Sequence, residues 1–559
     1  MDSTIRGIPV AEESLGALTL GGFLRQVCED HGAKEALVFY PPSGPVIRRS
    51  YSQVRQEANL VARALIARGV TKETRVGLLA TNRPEWVTAM FGIALAGGTC
   101  VLLSTFAKGP ELEYALRVGD VTHVIFERSV LTRDFAAELT ELCPELAGSD
   151  REVRSTRFPF LRSAVCIDEP GSGKPAVGVF EQWPAFLQKN LAPQALLDAI
   201  ASEISPTDRA LIFFSSGTTA KPKAVVHTHR AATMQSWRWA RIYGIDANVR
   251  TWCANGFFWS GNFASGMGAT FAAGGCLILQ THFDTGEALR LMQTERVSLP
   301  VAWPHQWARL IADPAWNSTD LSSLYYVGEK SLARGHADVT SRWPEPTAAY
   351  GSTETFTLVT APADNSWEAI AEDHHGVPLG GNTIRIVDPM TSKVLGIDEE
   401  GEIAIKGPTL MCGYLRVPPE EAFDADGFFR TGDGGFVDSH GRLHWQGRLT
   451  AIIKTGGANV SPLEIDEVLA KCPGVKIGAT VGVPHETLGE MVVACIVPEA
   501  GTSLDERTVR DFAAKHLSSY KVPRRVLFLQ DGDMPLTGTA KVKLGPLREF
   551  ATRRLAEAS

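Results

Sequence analysis

The sequence predicts an α/β protein made of two unequal units, and three observations support this. Apolar segments such as Val76–Ala80 and Cys100–Leu103 alternate with helical patterns over most of the chain. From about Gly380, short strands separated by Gly, Asp and Pro turns replace that alternation, and a shorter α/β pattern begins past Arg448. We therefore expect a large amino-terminal domain of doubly wound sheets plus a small β-rich unit, followed by a small α+β carboxy-terminal domain.

Capping signals place the first helices. Ser52 is expected to cap a helix that runs to about Ala67, with Gly69 just past its end. Asn82 and Pro84 suit the cap and the first position of the next helix. Strands and helices in this order predict βαβ units and parallel sheets.

The later elements are shorter. The β-rich unit is predicted to contain the strands Ile384–Val387, Gly401–Lys406 and Leu443–Gln446. The last part of the chain is predicted to contain the helix Pro462–Lys471, the strands Ala479–Val483 and Val492–Val497, and the helix Asp505–His516. We place the boundary near Arg448–Ala451, which gives domains of residues 1–448 and 449–559.

Composition excludes several classes of protein. A chain of 559 residues is long enough for two or more domains, and its net charge of −8 gives no electrostatic case for binding nucleic acid. The nine cysteines are scattered with no CxxC pair, so neither a zinc site nor a disulfide framework is indicated. The apolar stretch Phe257–Leu279 contains five glycines and predicts a buried helix and strand, not a membrane span. The amino terminus shows no signal-peptide pattern, so we expect a cytoplasmic protein.

The most informative motif is the segment Phe213–Val225, FFSSGTTAKPKAV. Its small and hydroxylated residues lie between two apolar runs, Ala210–Phe214 and Ala224–Val226, and are followed by Lys221 and Lys223. A loop of this kind exposes backbone N–H groups and hydroxyls, which suits a polyphosphate. It is not a Walker A loop, and by itself a solvated Ser/Thr-rich hairpin explains it as well.

Four further segments are each weak evidence for a nucleotide site when taken alone. Tyr350–Glu354 ends in a glutamate that can bind a hard cation, although an exposed loop glutamate is the commoner explanation. Thr431–Asp433 puts a carboxylate on a tight turn. The segment Gly447–Ile465 contains two adjacent glycines and a Ser-Pro-Leu-Glu helix start, and Pro535–Lys541 is a small-residue loop that ends in a lysine.

Together and in this order, the five segments resemble those of the acyl-adenylate-forming superfamily, from about Ser50 to Leu547. That superfamily includes acyl-CoA synthetases, firefly luciferase and peptide-synthetase adenylation domains, and its phosphate loop usually reads SGTTGKPKGV. Ala220 and Ala224 stand here where glycine is usual. The chain is most similar to the AMP-forming acyl-CoA synthetases, because it ends soon after Lys541 without a carrier-protein domain.

The resemblance implies roles for individual residues. Glu354 and Thr218 would hold Mg²⁺, Asp433 and Arg448 would bind the ribose, and Lys541 would act in adenylation. The catalytic residues implied in this way are Lys541, Glu354 and Thr218. The implied positions for ATP and coenzyme A are Ser215, Ser216, Gly217, Thr218, Thr219, Lys223, Gly328, Glu329, Lys330, Tyr350, Gly351, Ser352, Thr353, Asp433, Arg448, Gly456, Gly457 and Lys541.

The resemblance also implies two poses of a mobile carboxy-terminal domain, one for each half-reaction. Rotation would withdraw Lys541 and bring in Gly456 and Gly457, which would line the pantetheine tunnel. The hinge position is Thr450, where relatives usually have Asp or Lys. Ala540 replaces a usual glycine beside the catalytic lysine.

Two segments, Asn255–Gly261 and Val301–Pro304, correspond to the family's acyl pocket, and Phe258 occupies its common histidine position. With Trp259 and Trp303, Phe258 would form a broad aromatic wall, which favours an aryl, alicyclic or medium-chain acid over acetate. The alternative is that these rings fill the core.

The expected function is an ATP-dependent carboxylic acid–CoA ligase that forms AMP, with ATP, Mg²⁺ and CoA as its ligands and a role in fatty acid metabolism. One alternative is transfer of the acyl group to another acceptor, such as a carrier-protein thiol or an amine. The other is a non-catalytic nucleotide-binding relative. The acid and the oligomeric state stay open, with a homodimer as one option.

Overall fold

The computed structural model describes residues 2–9, 11–147, 153–168, 180–215, 222–346, 349–362, 374–449, 452–499, 501–530, 532–535 and 542–557. Within these ranges the helices are Leu20–His31, Tyr51–Ala67, Pro84–Leu95, Gly109–Val118, Phe135–Leu142, Trp183–Phe186, Gln194–Ser202, His229–Ile242, the π-helix Asn262–Gly268 with its α-helical continuation Ala269–Ala273, Thr285–Thr294, Pro304–Ile311, Pro419–Ala422, Pro462–Leu469, Glu506–His516 and Leu544–Glu557. Short 3₁₀ turns cover Glu12–Ser14, Pro144–Ala147, Trp316–Ser318, Leu332–Gly335 and Thr353–Thr355.

The largest sheet has eight strands, six of them parallel. Their order is Glu181–Gln182, Ser163–Ile167, His123–Glu127, Arg75–Leu79, Thr99–Leu102, Arg209–Ser215, Lys223–Thr228 and Gly413–Tyr414. The last two strands join antiparallel. Side chains alternate between its faces, so Leu78 and Val101 belong to two different buried clusters, each covered by helices.

A second sheet of five strands packs against the first. Its order is Leu299–Val301, Arg250–Cys253, Cys276–Leu279, Glu35–Phe39 and Ile47–Ser50, with only the last strand antiparallel. Leu37 and Leu277 of this sheet share one buried cluster with Leu78 of the eight-stranded sheet and with Trp86 and Phe91 of a helix. One core therefore joins the two sheets.

The β-rich unit is an antiparallel sheet of Ile5–Arg6, Thr383–Val387, Gly401–Lys406, Phe429–Val437 and Leu443–Arg448. The carboxy-terminal sheet contains Ala458–Val460, Ile453–Thr455, Gly489–Pro498 and Val475–His485, and Arg525–Phe528 adds parallel to Gly489–Pro498. Three small pairs complete the strands: Ser129–Val130 with Arg133–Asp134, Gly351–Ser352 with Thr357–Leu358, and Thr360–Ala361 with Val377–Pro378. The predicted fold class, a large α/β part with a β-rich unit and a small α+β unit, is confirmed.

Two predicted helix caps are wrong. The helix Tyr51–Ala67 is capped by Ser50, not Ser52: Ser50 Oγ accepts from Gln53 N at 3.3 Å, and the Gln53 side chain accepts from Ser50 N at 2.8 Å. This reciprocal capping box needs a glutamine three residues on, which Ser50 has and Ser52 lacks.

Asn82 does not cap the helix Pro84–Leu95, because Arg83 occupies the cap position. The Asn82 side chain instead accepts a hydrogen bond from Phe257 N at 3.0 Å and donates to Asn255 O at 2.9 Å. A distant segment therefore overrides the local signal, and Asn82 ties the first sheet region to the predicted acyl-pocket segment.

The stretch Phe257–Leu279 forms a buried helix, Asn262–Ala273, and the strand Cys276–Leu279, as predicted. No helix in the part of the chain that the structure describes has the length and apolar character needed to span a bilayer. All nine cysteines are free thiols, and eight of them are buried.

Candidate active site

A cavity of about 430 Å³ lies where the eight-stranded sheet, the β-rich unit and the carboxy-terminal unit meet. The predicted site residues that line it are Ser215, Lys223, Trp259, Trp303, Ser352, Thr353, Glu354 and Gly457. Five separate stretches of sequence thus contribute to one cavity. Among the described residues, the lining does not include Phe258, Gly328, Glu329, Lys330, Tyr350, Gly351, Asp433 or Gly456.

One side of the cavity is polar and centres on Glu354, which is 9% exposed. Glu354 Oε1 accepts hydrogen bonds from Tyr414 OH at 3.0 Å and from Ser215 Oγ at 3.3 Å. The Lys223 ammonium lies 4.6 Å from the centre of the Tyr414 ring. The antiparallel pairing of Gly413–Tyr414 with Lys223–Thr228 brings these groups together. No sequence motif predicts Tyr414 as a site residue, because only the pairing of two distant strands brings it next to Glu354.

This arrangement fits a magnesium ion held mainly by phosphate oxygens. Both hydroxyls donate to the same oxygen of Glu354, so its other oxygen takes no part in these bonds. Within the described ranges, no cluster of three or more His, Cys, Asp or Glu side chains suits a metal. Mg²⁺ commonly takes one or two protein carboxylates and fills its other positions with substrate phosphates and water, which is the role open to Glu354.

The predicted ribose carboxylate is held rigidly. Asp433 is 3% exposed, and its Oδ2 accepts a hydrogen bond from Tyr350 OH at 2.5 Å. Its backbone N–H donates to Thr431 Oγ1 at 3.0 Å. Asp433 is the register partner of Arg448, so the strand pairing sets those two backbones side by side. Two residues predicted from separate motifs, Tyr350 and Asp433, are thus in direct contact.

Several predicted residues fall outside the described part of the chain. These are Ser216, Gly217, Thr218, Thr219 and Ala220 of the loop, the hinge position Thr450, Ala540, Lys541 and the side chain of Arg448. Among the positions implied for ATP and coenzyme A, Gly328 packs against Glu345. A Cβ added at Gly328 would lie 1.6 Å from Glu345 Oε2. Burial raises the pKa of the Glu345 carboxyl.

A second part of the cavity lining is aromatic. The ring centres of Trp259 and Trp303 lie 6.3 Å apart, and those of Phe258 and Trp259 5.9 Å apart. Phe258 is 6% exposed and, with Trp259, lines a separate small cavity of about 60 Å³. Tyr520 of the carboxy-terminal unit adds a fourth ring, 5.8 Å from Trp259. Tyr520 has no motif around it that could have predicted this contact.

The adjacent glycines of the carboxy-terminal unit lie against this aromatic side. Gly456 has φ +56° and Gly457 φ +83°. A Cβ on Gly457 would lie 2.7 Å from Trp303 Cδ2, and one on Gly456 would lie 3.0 Å from His305 Nδ1. Both the backbone conformation and the close contact therefore require glycine.

His305, which no sequence motif predicted as a site residue, contacts Gly456 of the carboxy-terminal unit. Burial lowers the pKa of the His305 imidazole, and the positive charges of Arg524 and Arg309 lower it further. Arg524 belongs to the carboxy-terminal unit, so two units determine the protonation of one ring.

Comparison with known proteins shows the family of this chain. The model of the family described as AMP-binding enzyme matches residues 24–415, and the model of the AMP-binding enzyme C-terminal domain matches residues 464–541. The chain belongs to the family of AMP-binding enzymes.

Within that family the chain is similar to acyl-CoA ligases. It is 30% identical, over 90% of its length and 94% of the relative, to a Mycobacterium tuberculosis ligase that joins CoA to a propanoate bearing a methylated dioxo-octahydroindenyl ring. It is 27% identical, over 98% of its length and 90% of the relative, to the mitochondrial medium-chain acyl-CoA ligase of Danio rerio. The amide bond synthetase of Marinactinospora thermotolerans has the same fold, with a TM-score of 0.72 at 24% identity over 94% of this chain and 99% of that one.

Proposed function

We propose that the protein is an ATP-dependent carboxylic acid–CoA ligase that forms an acyl-adenylate and then a thioester. The observation that carries the proposal is the meeting of three parts at one cavity. These are a polar side with a fixed carboxylate, an aromatic side, and a glycine pair seated on the aromatic rings. The family and the CoA-ligase relatives support the same conclusion.

In the first half-reaction, a carboxylate oxygen of the acid attacks the α-phosphorus of ATP, and the bond from that phosphorus to the bridging oxygen breaks. Pyrophosphate leaves, and an acyl-AMP anhydride forms. Asp433 would accept hydrogen bonds from the ribose hydroxyls, and the hydrogen bond from Tyr350 OH orients its carboxylate. Lys541 and the Ser215–Lys223 loop would neutralise the transferring phosphates.

Glu354 would hold Mg²⁺, which would neutralise charge on the phosphates. Tyr414 and Ser215 orient the Glu354 carboxylate toward that role through their hydrogen bonds. The Lys223 side chain, next to the Tyr414 ring, keeps a positive charge at the same end of the cavity.

In the second half-reaction, the sulfur of CoA attacks the acyl carbonyl, the bond to AMP breaks, and the thiol proton passes to solvent. The glycine pair would border the path of the thiol, because Gly457 lines the cavity beside Trp303. We assign residues 1–448 to the ATP- and acid-binding domain and residues 449–559 to the domain that supplies Gly456, Gly457 and Lys541, with the hinge at Thr450.

The acid is proposed to be aryl, alicyclic or of medium chain length. Trp259 and Trp303 both line the cavity and offer flat apolar surface to such a group. A ring-bearing propanoate and medium-chain acids are named for the two relatives, which supports this size class.

The test is a panel of carboxylic acids supplied with ATP, Mg²⁺ and CoA, scored for AMP and thioester. We expect equal amounts of both products with ring-bearing or medium-chain acids and little with acetate. Acyl-AMP that accumulates while CoA stays unused would show another acceptor, such as an amine. Failure of every acid to support ATP–pyrophosphate exchange would show a non-catalytic nucleotide-binding protein.

A further inference from the structure

The two units also meet away from the cavity, in a buried polar cluster. Lys521 of the carboxy-terminal unit donates to Glu111 Oε1 at 2.8 Å and to Glu464 Oε1 at 2.7 Å. Ser518 Oγ donates to Glu111 Oε2 at 2.7 Å. Lys521 is 3% exposed, so its ammonium depends on these carboxylates in place of water. We call Glu111, Ser518 and Lys521 the latch.

The two carboxylates that contact Lys521 differ in origin. Glu464 lies in the helix Pro462–Leu469 of the same unit, whereas Glu111 lies in the helix Gly109–Val118 of the large unit, 410 residues from Lys521 in sequence. If the units moved apart, Lys521 would keep Glu464 and lose only Glu111. The Lys521–Glu111 contact is therefore specific to the present arrangement, and breaking it does not leave the ammonium without a partner.

Glu111 is fixed within its own unit before the small unit contacts it. Its Oε2 accepts a hydrogen bond at 2.9 Å from the backbone N–H of Lys108, the residue that precedes the helix Gly109–Val118. Its side chain is 11% exposed. A carboxylate held in this way offers Ser518 and Lys521 a pre-organised site, so little side-chain freedom is lost when they bind it.

The latch is next to the aromatic side of the cavity. Tyr520, between Ser518 and Lys521 in sequence, has its ring centre 5.8 Å from Trp259 and 6.5 Å from Phe106 of the large unit. The segment that contains the latch residues thus packs on the acyl wall, while the glycine pair of the same unit packs on Trp303 and His305. The latch and the glycine pair hold the small unit at two points.

We propose that Glu111 is a positioning residue for the thioester-forming step: through Ser518 and Lys521 it holds the carboxy-terminal unit where its glycine pair contacts Trp303 and His305. This inference rests on the proposed function, in which the thiol reacts beside the glycine pair. Glu111 does not line the cavity of about 430 Å³, so the role proposed for it is exerted through the position of the small unit.

The test compares Glu111→Gln with Glu113→Gln, a matched control on the same helix whose carboxylate pairs with Arg157 of the large unit at 2.6 Å. Two rates are measured in full-length protein: thioester formation from preformed acyl-AMP and CoA, and acid-dependent ATP–pyrophosphate exchange. Glu111→Gln should slow thioester formation about tenfold or more and leave exchange unchanged or faster, because a buried charge contact between the units is lost. Glu113→Gln should change each rate by less than about twofold, as expected for a surface pair.

Ser518→Ala gives a second, milder break of the latch. It removes one hydroxyl and keeps the Glu111–Lys521 ion pair, so thioester formation should fall by about threefold with exchange unchanged. If Glu111→Gln does not fold, Ser518→Ala decides the question by the same pair of rates.

Equal slowing of both rates in Glu111→Gln, an unimpaired thioester rate, or the same loss in Glu113→Gln would overturn the positioning role. A wild-type protein that makes acyl-AMP but no thioester would refute the proposed function and this role with it. If wild type makes thioester and Glu111→Gln makes it at the same rate, only the role of Glu111 is refuted.

Discussion

The polar and the aromatic sides of the cavity are built in different ways. On the polar side, Glu354, Tyr414 and Ser215 bind one another by hydrogen bonds, and all belong to the large unit. On the aromatic side, Trp259 and Trp303 of the large unit contact Tyr520 and Gly457 of the small one. The hydrogen bonds around Glu354 thus involve the large unit alone, whereas the small unit contributes contacts to the aromatic side. Changes at Glu354 and at the glycine pair should therefore affect different half-reactions.

The largest effect is expected from Glu354→Gln. Loss of the carboxylate charge should weaken the hold on Mg²⁺ and so reduce acid-dependent ATP–pyrophosphate exchange by about 10²- to 10³-fold, because the magnesium would then balance the charge on the transferring phosphates less well. Thioester formation from preformed acyl-AMP should change little. Glu421→Gln is the matched control, since Glu421 lines the same cavity from an exposed helix. An equal loss in Glu421→Gln would remove the special role of Glu354.

Gly457→Ala tests the other side of the cavity. The added Cβ would lie 2.7 Å from the Trp303 ring, so the small unit can no longer seat there, and thioester formation should fall by about 100-fold with exchange largely kept. Gly501→Ala imposes the same backbone strain, since φ is +80° at Gly501 against +83° at Gly457, but its Cβ would meet nothing within 4 Å. If Gly501→Ala slows the thiol step as much, strain and not the contact with Trp303 is the cause.

Trp303→Leu tests whether the rings bind the acid. Loss of flat apolar surface should raise KM for ring-bearing acids about tenfold and leave KM for ATP unchanged, as removal of a ring–ring contact and its buried area predicts. Steady-state kinetics with varied acid and with varied ATP measure the two effects. A parallel rise in both constants would mean that Trp303 only fills the core.

The smallest effect concerns pH. Burial, with Arg524 and Arg309, lowers the pKa of His305 from its ordinary value of 6.5 while the small unit is seated. Because contact with the small unit lowers the pKa of His305, the neutral ring stabilises that contact above pH 6.5. This contribution is lost as the pH falls below that value and the ring takes up a proton. Between pH 7.5 and 5.5, the thioester rate of wild type relative to His305→Gln should therefore fall by about two- to fivefold. A constant ratio would contradict the seated position of the ring.

The sequence predicted part of each side of the cavity, and there is a physical reason for what it left out. Glu354 and Asp433 sit in short contiguous motifs whose spacing reflects turns and strand ends. Tyr414, Tyr520 and the Glu111–Lys521 contact depend on chain segments that meet only after folding, and no local pattern marks them. Among the aromatic residues, Trp259 and Trp303 were predicted as acyl-wall residues, and the structure places both at the cavity.

The fold class and the strands that were predicted followed from apolar periodicity, because buried strands need continuous apolar runs. The wrong caps at Ser52 and Asn82 show that residue type alone does not identify a helix cap. Ser50 has its glutamine partner three residues away, which makes it the better cap. Asn82 binds a segment about 175 residues away instead of its own helix.

The most direct test of the division between the two sides is a rapid-quench measurement of both half-reactions in Lys541→Ala. If Lys541 acts only on the transferring phosphate, Lys541→Ala should form adenylate from acid and ATP about 10²-fold more slowly or worse. Its rate of thioester formation from preformed acyl-AMP and CoA should stay within about twofold of wild type. Equal loss in both half-reactions would contradict the account, because one set of groups would then serve both steps.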